Sequence, residues 1–122
     1  MIERLEIAGV HLNLDEDLEK YTRKKIGQLD RYAPRNARES MHAEVKLKES
    51  QGKKKNKFTC ETILHLPKET LMTSEATINI YAAIDIVETK LTQQIKKYKN
   101  KHQNPKLYRR IKNRFKRNRS TV

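Results

Sequence analysis

Hydrophobic and polar positions along the chain follow two different periods, and each change of period predicts a new element. Residues 2–8 alternate, with Leu5 and Ile7 on one side, which predicts a first strand that Gly9 ends. Three later segments also alternate and predict the second, third and fourth strands: residues 41–48, 58–66 and 70–76. Each strand is expected to bury one face and expose the other.

Two other segments carry apolar residues three or four positions apart, which is helical spacing. In the first, Asp15 is the predicted N-cap and Ala33-Pro34 the predicted end. Its stripe is Leu18, Tyr21, Ile26, Leu29 and Tyr32. Asn79 or Thr77 caps the second helix, and the polar run 99–105 is predicted to break it. Its stripe is Ile80, Ile84, Val87, Leu91, Ile95 and Tyr98.

The predicted order is therefore β-α-β-β-β-α. One β-α-β crossover followed by hairpins gives a four-stranded mixed sheet with two helices on one face, which is an α+β fold. We divide the chain into this domain, at residues 1–101, and a basic tail at residues 102–122. The tail is short and self-repelling, so we predict that it is disordered when free and can form a helix when bound.

Charge is distributed unevenly along the chain, whose formal net charge is +13. Residues 1–88 hold as many Lys and Arg as Asp and Glu, whereas residues 89–122 hold Lys and Arg but no acid. A segment with this composition repels itself and gains most from meeting a polyanion. Nucleic acid is therefore the first partner to consider.

Several other classes of protein fit the sequence poorly. No uncharged stretch approaches the roughly 18 apolar residues that a membrane span needs, and the first residues lack the pattern of a signal peptide. Cys60 is the only cysteine, which suits a reducing compartment, so we predict a cytoplasmic location. Because Cys60 alternates with inward positions, a buried core thiol is favoured over a nucleophile.

Catalytic signatures are also missing from the sequence. Three glycines leave little room for a phosphate-binding or dinucleotide-binding loop, and Gly27-Gln28 lacks the second glycine of a Gly-Gly-Gln motif. The histidines are scattered, without the spacing of metal ligands: His11, His42, His65 and His102. We therefore expect no enzymatic activity, no metal and no cofactor.

Basic residues on the two helices are the candidate binding sites. On the first helix a solvated face and a binding face are equally good interpretations of Arg23, Lys24 and Lys25. On the second helix a binding face is favoured for a denser basic patch, because no acid follows Glu88 in the sequence: Lys90, Lys96, Lys97, Lys99 and Lys101. Of these, Lys90, Lys97 and Lys101 share one helical side, with Gln94 between them. The loop at residues 53–55 has three lysines and stays open to either interpretation.

The tail at residues 102–122 allows three interpretations: a solubility tail, a membrane-surface helix or an RNA-binding arm. Its narrow apolar side makes membrane binding marginal. An RNA-binding arm fits better, since Arg109, Arg110 and Arg114 can clamp phosphates and Tyr108 or Phe115 can stack on bases.

Three groups of residues carry a resemblance to a known family. The segment 81–99 contains Ala-Ile-Asp, then Lys-Leu, then Gln, then a Lys-Tyr-Lys end. The first helix contains Lys24-Lys25-Ile26 and Leu29-Asp30-Arg31-Tyr32, and Glu61 is followed by Leu66-Pro67. Over residues 1–101 the chain resembles the ribosome hibernation-promoting factor and ribosome-associated inhibitor family, also called the sigma-54 modulation protein family.

This resemblance implies a fold similar to the double-stranded-RNA-binding domain and a translation inhibitor that docks in the small ribosomal subunit. There, two basic helices would face rRNA in the channel shared by messenger and transfer RNA during starvation or stationary phase. The implied rRNA contacts are Lys24, Lys25, Lys90, Gln94, Lys97 and Lys101. Asp85 also matches a family position, and an orienting role is expected for it.

Two points remain open at this stage. The tail is too short and too charged to be the dimerisation domain of long family members, so we do not expect the chain itself to dimerise. A constitutive rRNA-binding ribosomal or ribosome-assembly protein is the alternative function. Occupancy on ribosomes in growth and in starvation would separate the two functions.

Overall fold

The elements of the fold follow the predicted order, with two short helical segments added. The computed structural model describes residues 1–50, 52 and 57–103. The elements are β1 (Arg4–Val10), α1 (Glu16–Gly27), a 3₁₀ helix (Gln28–Tyr32), α2 (Arg35–Arg38), β2 (His42–Glu49), β3 (Phe58–Leu66), β4 (Glu69–Thr77) and α3 (Ile80–Gln103). The four-residue α2 was not predicted. The predicted first helix, expected to end at Ala33-Pro34, is α-helical only to Gly27 and continues as the 3₁₀ helix to Tyr32.

The four strands form one mixed sheet in the order β1-β2-β3-β4. β1 runs parallel to β2, and the β2–β3 and β3–β4 pairs are antiparallel. The crossover from β1 to β2 passes through α1, as a parallel pair requires. β1 and β4 are therefore the two edges of the sheet, and the predicted mixed α+β fold is confirmed.

Both long helices pack on one face of the sheet. Alternate residues of β2 and β3, such as Val45 and Leu64, are buried beneath the helices. α1 contacts β1, whereas α3 contacts β3 and β4, and the two helices also contact each other. Leu91 and Ile95 of α3 are fully buried, and each such side chain contributes about 1.5–3 kcal/mol by leaving water. The helices are thus fixed on the sheet by a shared core.

The predicted helix N-caps are confirmed by hydrogen bonds. The backbone N–H of Leu18 donates to Oδ1 of Asp15 at 2.7 Å. At the start of α3, the backbone N–H of Tyr81 donates to Oδ1 of Asn79 at 2.9 Å. Side-chain oxygens at these positions satisfy backbone donors that the helix itself leaves unpaired.

Gly9 does not end the first strand, contrary to the prediction, because β1 continues to Val10. A Cβ atom at Gly9 would lie 2.6 Å from the carbonyl oxygen of Leu12. The glycine therefore marks a close approach of the following turn to the strand, which is the other common reason for glycine within a strand.

The predicted break after Tyr98 is also wrong, since α3 continues to Gln103. The Tyr98 hydroxyl donates to the carbonyl oxygen of Pro67 at 2.7 Å. One turn later, Lys101 and His102 both contact the carboxylate of Glu69. These contacts with the β3–β4 turn and β4 hold the last helical turns, although the local sequence is polar. The division of the chain after residue 101 stays a prediction.

Cys60 is a core residue, as predicted from its alternation. Its side chain is fully buried on β3, and this burial raises the pKa of the thiol to about 11. The thiolate, which is the nucleophilic form, is therefore disfavoured at neutral pH. Cys60 packs in the core and has no features of a reactive site.

Candidate nucleic-acid interface

The predicted residues of α3 lie in a line along the side of the helix that faces β4. We call this group the β4-facing row: Lys90, Gln94, Lys97 and Lys101. Spacings of four, three and four residues place them on one side over about three turns. Because α3 packs against β4, the alternate side chains of β4 that point toward the helices come within reach of the row.

Three members of the row contact side chains of β4. Lys90 forms an ion pair with Glu75, and Lys101 Nζ lies 2.7 Å from Oε1 of Glu69. Between them, the hydroxyl of Thr73 donates to Oε1 of Gln94 at 3.3 Å.

Contrary to the prediction, two carboxylates neutralise part of this row. Glu69 and Glu75 are distant from α3 in sequence, but the fold brings both carboxylates to it. A hydrogen bond from Lys101 is the main cause that lowers the pKa of Glu69 below its usual value. Lys97 is exposed, and no carboxylate of the described residues forms an ion pair with it.

These ion pairs are weak enough to be exchanged for phosphate. The side chains of Lys90 and Lys101 are 49% and 47% exposed, and pairs of this kind contribute about 0–1 kcal/mol. A phosphate offers the same ammonium groups several charge-assisted hydrogen bonds. The row can therefore bind RNA, but two of its lysines must first leave a carboxylate.

The predicted residues of α1 point in different directions. Arg23 donates to Glu19 at 3.2 Å and to the carbonyl oxygen of Leu5 at 3.5 Å, so it faces β1. Lys25 lies 3.7 Å from Asp85 and faces α3. Lys24 is exposed, and the described residues provide no ion-pair partner for it.

The structure does not bring all the predicted contacts into one cluster. Arg23 faces β1 and the β4-facing row faces β4, and these strands are opposite edges of the sheet. The positive charge is instead spread over a layer of two adjacent helices. Such a layer suits an extended polyanion better than a single small anion.

Asp85 joins the two helices at the centre of this layer. The Tyr21 hydroxyl donates to Oδ1 of Asp85 at 2.5 Å, and Lys25 approaches the same oxygen. The hydrogen bond to Asp85, followed by burial, raises the pKa of Tyr21 to about 12. Tyr21 also packs edge-on against Tyr81, with ring centroids 4.9 Å apart. Asp85 thus contacts α1 side chains in a way that agrees with the expected orienting role.

A further basic group combines Lys96, from the predicted patch of α3, with Arg31, which was not predicted as a site. Arg31 Cζ lies 4.8 Å from the ring centroid of Tyr32, and Lys96 Nζ lies 5.3 Å from it. Arg31 also donates to the Tyr32 hydroxyl at 2.8 Å. We call these three residues the Tyr32 cluster. The adjacent Arg31-Tyr32 pair was visible in the sequence, whereas the contact with Lys96 arises only when the 3₁₀ helix packs against α3.

Other predicted contacts fall outside the described residues. These are Arg109, Arg110 and Arg114 of the tail and the lysines at 53–55, whose RNA contacts stay predictions. Within residues 1–50, 52 and 57–103, no group of three His, Cys, Asp or Glu side chains is placed to hold a metal ion. In the same part of the chain, no helix is both long and apolar enough to cross a membrane.

Comparison with known proteins identifies relatives over most of the chain. Residues 5–103 match the family described as Sigma 54 modulation protein / S30EA ribosomal protein. A Staphylococcus aureus (strain COL) protein named ribosome hibernation promotion factor is 32% identical over 98 residues, which are 80% of this chain and 49% of that protein. The chain thus spans about half the length of this curated relative.

Two solved structures have a similar fold. The Thermus thermophilus Protein Y N-terminal domain is 27% identical, with a TM-score of 0.65 over 76% of this chain and 94% of that chain. A ribosomal subunit interface protein from Coxiella burnetii is 23% identical, with a TM-score of 0.63 over 79% of this chain and 97% of that chain. The latter supports the fold alone. From the match over residues 5–103, the chain belongs to the sigma-54 modulation protein and S30EA ribosomal protein family.

Proposed function

We propose that this protein is a ribosome-binding translation inhibitor that occupies the mRNA and tRNA channel of the small ribosomal subunit. Family membership and the relative named ribosome hibernation promotion factor support this proposal. The observation that carries it is α3 itself, a helix of 24 residues with lysines along its exposed sides. At about 1.5 Å per residue it extends roughly 36 Å, enough to follow an RNA groove or channel wall.

Binding in this proposal depends on phosphate contacts. Lys90 and Lys101 exchange their carboxylate partners for rRNA phosphates, whereas Lys24 and Lys97 bind phosphate directly. Each phosphate neutralised by a Lys or Arg releases counterions, so affinity falls steeply as salt concentration rises. The α1–α3 layer then fills space that messenger or transfer RNA would need, and translation stops.

The inhibition needs no chemical step. The protein acts by occupancy, in the cytoplasm where ribosomes work, and one bound molecule silences one small subunit. Its effect should therefore be stoichiometric and should reverse when the protein dissociates.

A double charge reversal, Lys90→Glu with Lys97→Glu, tests the proposed site. The new carboxylates repel phosphate at two positions of the β4-facing row, so we expect co-sedimentation with small subunits at moderate salt to be abolished. Lys46→Glu with Lys68→Glu is the matched control, because both lysines are exposed and outside the helical layer. Unchanged co-sedimentation of the first variant would remove the β4-facing row from the interface.

Ribosome occupancy in cells separates this function from a constitutive one. A hibernation factor is expected on ribosomes of starved cells and to be scarce on those of growing cells. Near-stoichiometric occupancy during growth would instead indicate a ribosomal or ribosome-assembly protein. Quantitative measurement of the protein in ribosome fractions from both conditions makes the distinction.

A further inference from the structure

The Tyr32 cluster has two cations, and its Lys96 points to the 3₁₀ helix instead of to β4. We propose that Arg31 and Lys96, held over the ring of Tyr32, form a second binding site for the RNA phosphate backbone. This inference rests on the proposed function, namely that the protein binds rRNA through its helical layer. Lys96 lies in the predicted basic patch of α3, whereas Arg31 and the grouping of both cations around Tyr32 belong neither to that patch nor to the implied family contacts.

The site is built on a rigid part of the fold. Tyr32 ends the 3₁₀ helix and packs against the core, so its ring is half-buried and fixed. Lys96 follows Ile95, which is fully buried in α3. The ring holds one cation from each of two elements, and both charges lie within about 6 Å of its centre.

The net positive charge of this cluster is not cancelled within the described chain. None of the ion pairs among the described residues includes Arg31 or Lys96. The nearest acid in sequence, Asp30, has its carboxylate 2.8 Å from the amino group of Met1. A tyrosine ring attracts a cation through its quadrupole but carries no net charge. Two full charges therefore remain available to a phosphate.

The hydrogen-bond donors of the cluster are also largely available. Arg31 uses one guanidinium nitrogen on the Tyr32 hydroxyl, which leaves other N–H groups for a phosphate, and arginine can bind phosphate through two of them at once. Because the ring already orders both side chains, binding loses less side-chain freedom than it would at unrestrained residues. Lys99, exposed and three residues after Lys96, extends the cationic surface by one turn.

The salt dependence of binding to purified small ribosomal subunits tests the site. The variant is Arg31→Gln with Lys96→Gln, and the matched control is Lys46→Gln with Lys68→Gln, which also removes two exposed charges without ion pairs. Each phosphate contact contributes about 0.7–0.9 to the slope of log K against log salt. We expect the slope to fall by roughly 1.5 in the variant and to stay near the wild-type value in the control.

Two further variants separate RNA contact from a structural role. Lys96→Arg keeps the charge and can still stack on the ring, so it should retain the wild-type slope. Tyr32→Phe keeps the aromatic ring and should retain most of the wild-type salt slope. Tyr32→Leu removes the ring and should lose part of that slope. Cooperative thermal unfolding of each variant checks that the fold persists. If the salt slopes of the variants vary with their unfolding temperatures and not with their charge, the cluster stabilises the fold and does not bind RNA. That result would overturn the proposal.

The outcomes distinguish this inference from the proposed function. If the wild type binds small subunits and Arg31→Gln with Lys96→Gln keeps its slope, the Tyr32 site is wrong and the proposed function stands. If the wild type does not bind small subunits, the proposed function fails, and the same titration with protein-free rRNA decides the site. Equal salt slopes for the wild type and for Arg31→Gln with Lys96→Gln on protein-free rRNA would overturn the Tyr32 site. Loss of contact with a ribosomal protein at unchanged rRNA affinity would also overturn it.

Discussion

Two regions of the helical layer present cations in opposite ways. In the β4-facing row, Lys90 and Lys101 contact the carboxylates of Glu75 and Glu69. In the Tyr32 cluster, the cations lie over a neutral ring, with no ion pair among the described residues. A carboxylate positions a lysine and cancels its charge, whereas a ring positions it and leaves the charge intact.

This difference shows that the formal charge of a surface is not the charge it offers to a partner. Counted along the sequence, the lysines of the β4-facing row and Lys96 belong to one run of bases without acids, and Arg31 is distant from that run. Counted in the fold, the row is partly neutralised and the cluster is not. Long-range attraction of RNA depends on the net charge of each surface in the folded protein.

The largest expected effect comes from Leu91→Ala, which removes a side chain beneath both regions. Leu91 is fully buried in α3, and such truncations destabilise by about 2–5 kcal/mol. Because α3 supplies lysines to both regions, unfolding of this variant should abolish RNA binding by both regions together. Denaturant unfolding gives the loss of stability, and below the unfolding transition the salt slope of RNA binding should stay at the wild-type value. A lower slope in the folded variant would mean that core packing, and not charge, sets the number of phosphate contacts.

Glu75→Gln is expected to have a smaller effect, which is a gain in RNA affinity and not a loss of stability. Removing this carboxylate frees Lys90 in advance, so affinity for small subunits should rise about two- to fivefold, the equivalent of a surface pair worth up to about 1 kcal/mol. The measurement is a binding titration at fixed salt.

Glu61→Gln is the control for that variant. Glu61 pairs with Lys48 at 3.0 Å in the sheet. The Glu61→Gln substitution therefore removes one acid and breaks one similar ion pair outside the β4-facing row. An equal rise in affinity for both variants would show a general charge effect and would contradict a specific competition between Glu75 and phosphate.

The smallest expected effect is a pH dependence confined to the β4-facing row. The folded pKa of Glu69 is lowered, chiefly by its hydrogen bond with Lys101. A lowered carboxyl pKa stabilises the fold above the unfolded value, near 4.5, and this stabilisation is lost as the pH falls through the folded value.

Glu69→Gln should therefore remove up to about 1 kcal/mol of stability at neutral pH and flatten the decline below pH 4.5. Lys96→Gln should leave that decline unchanged, since no carboxylate pairs with Lys96 among the described residues. Unfolding free energies measured across this pH range make the comparison. Identical profiles for Glu69→Gln and the wild type would contradict the assignment.

Most of the fold could be predicted because its elements depend on local patterns. The alternation of residues 58–66 gave the bounds of β3, and Asp15 and Asn79 have the side chains that N-caps require. The errors arose where distant contacts override local preference. Gly9 lies within β1 because the turn at Leu12 approaches it, and α3 passes its polar segment because Tyr98 and the following turn bind residues before and within β4.

The candidate site was less predictable for the same reason. Spacing alone placed Lys90, Lys97 and Lys101 on one side of a helix. It did not reveal that β4, a neighbour only in the folded chain, supplies their carboxylates. Nor did it reveal that Tyr32 and Lys96 meet, since that contact needs the 3₁₀ helix docked on α3.

The buried Cys60 gives the protein a built-in reporter of its own opening. With its pKa raised to about 11 and its side chain inaccessible, the thiol reacts with alkylating reagents only when the sheet and helices separate. As the chain has one cysteine, every modified molecule records one opening event. The labelling rate, measured with and without ribosomes, would therefore report how far the proposed docking suppresses those openings, without any engineered probe.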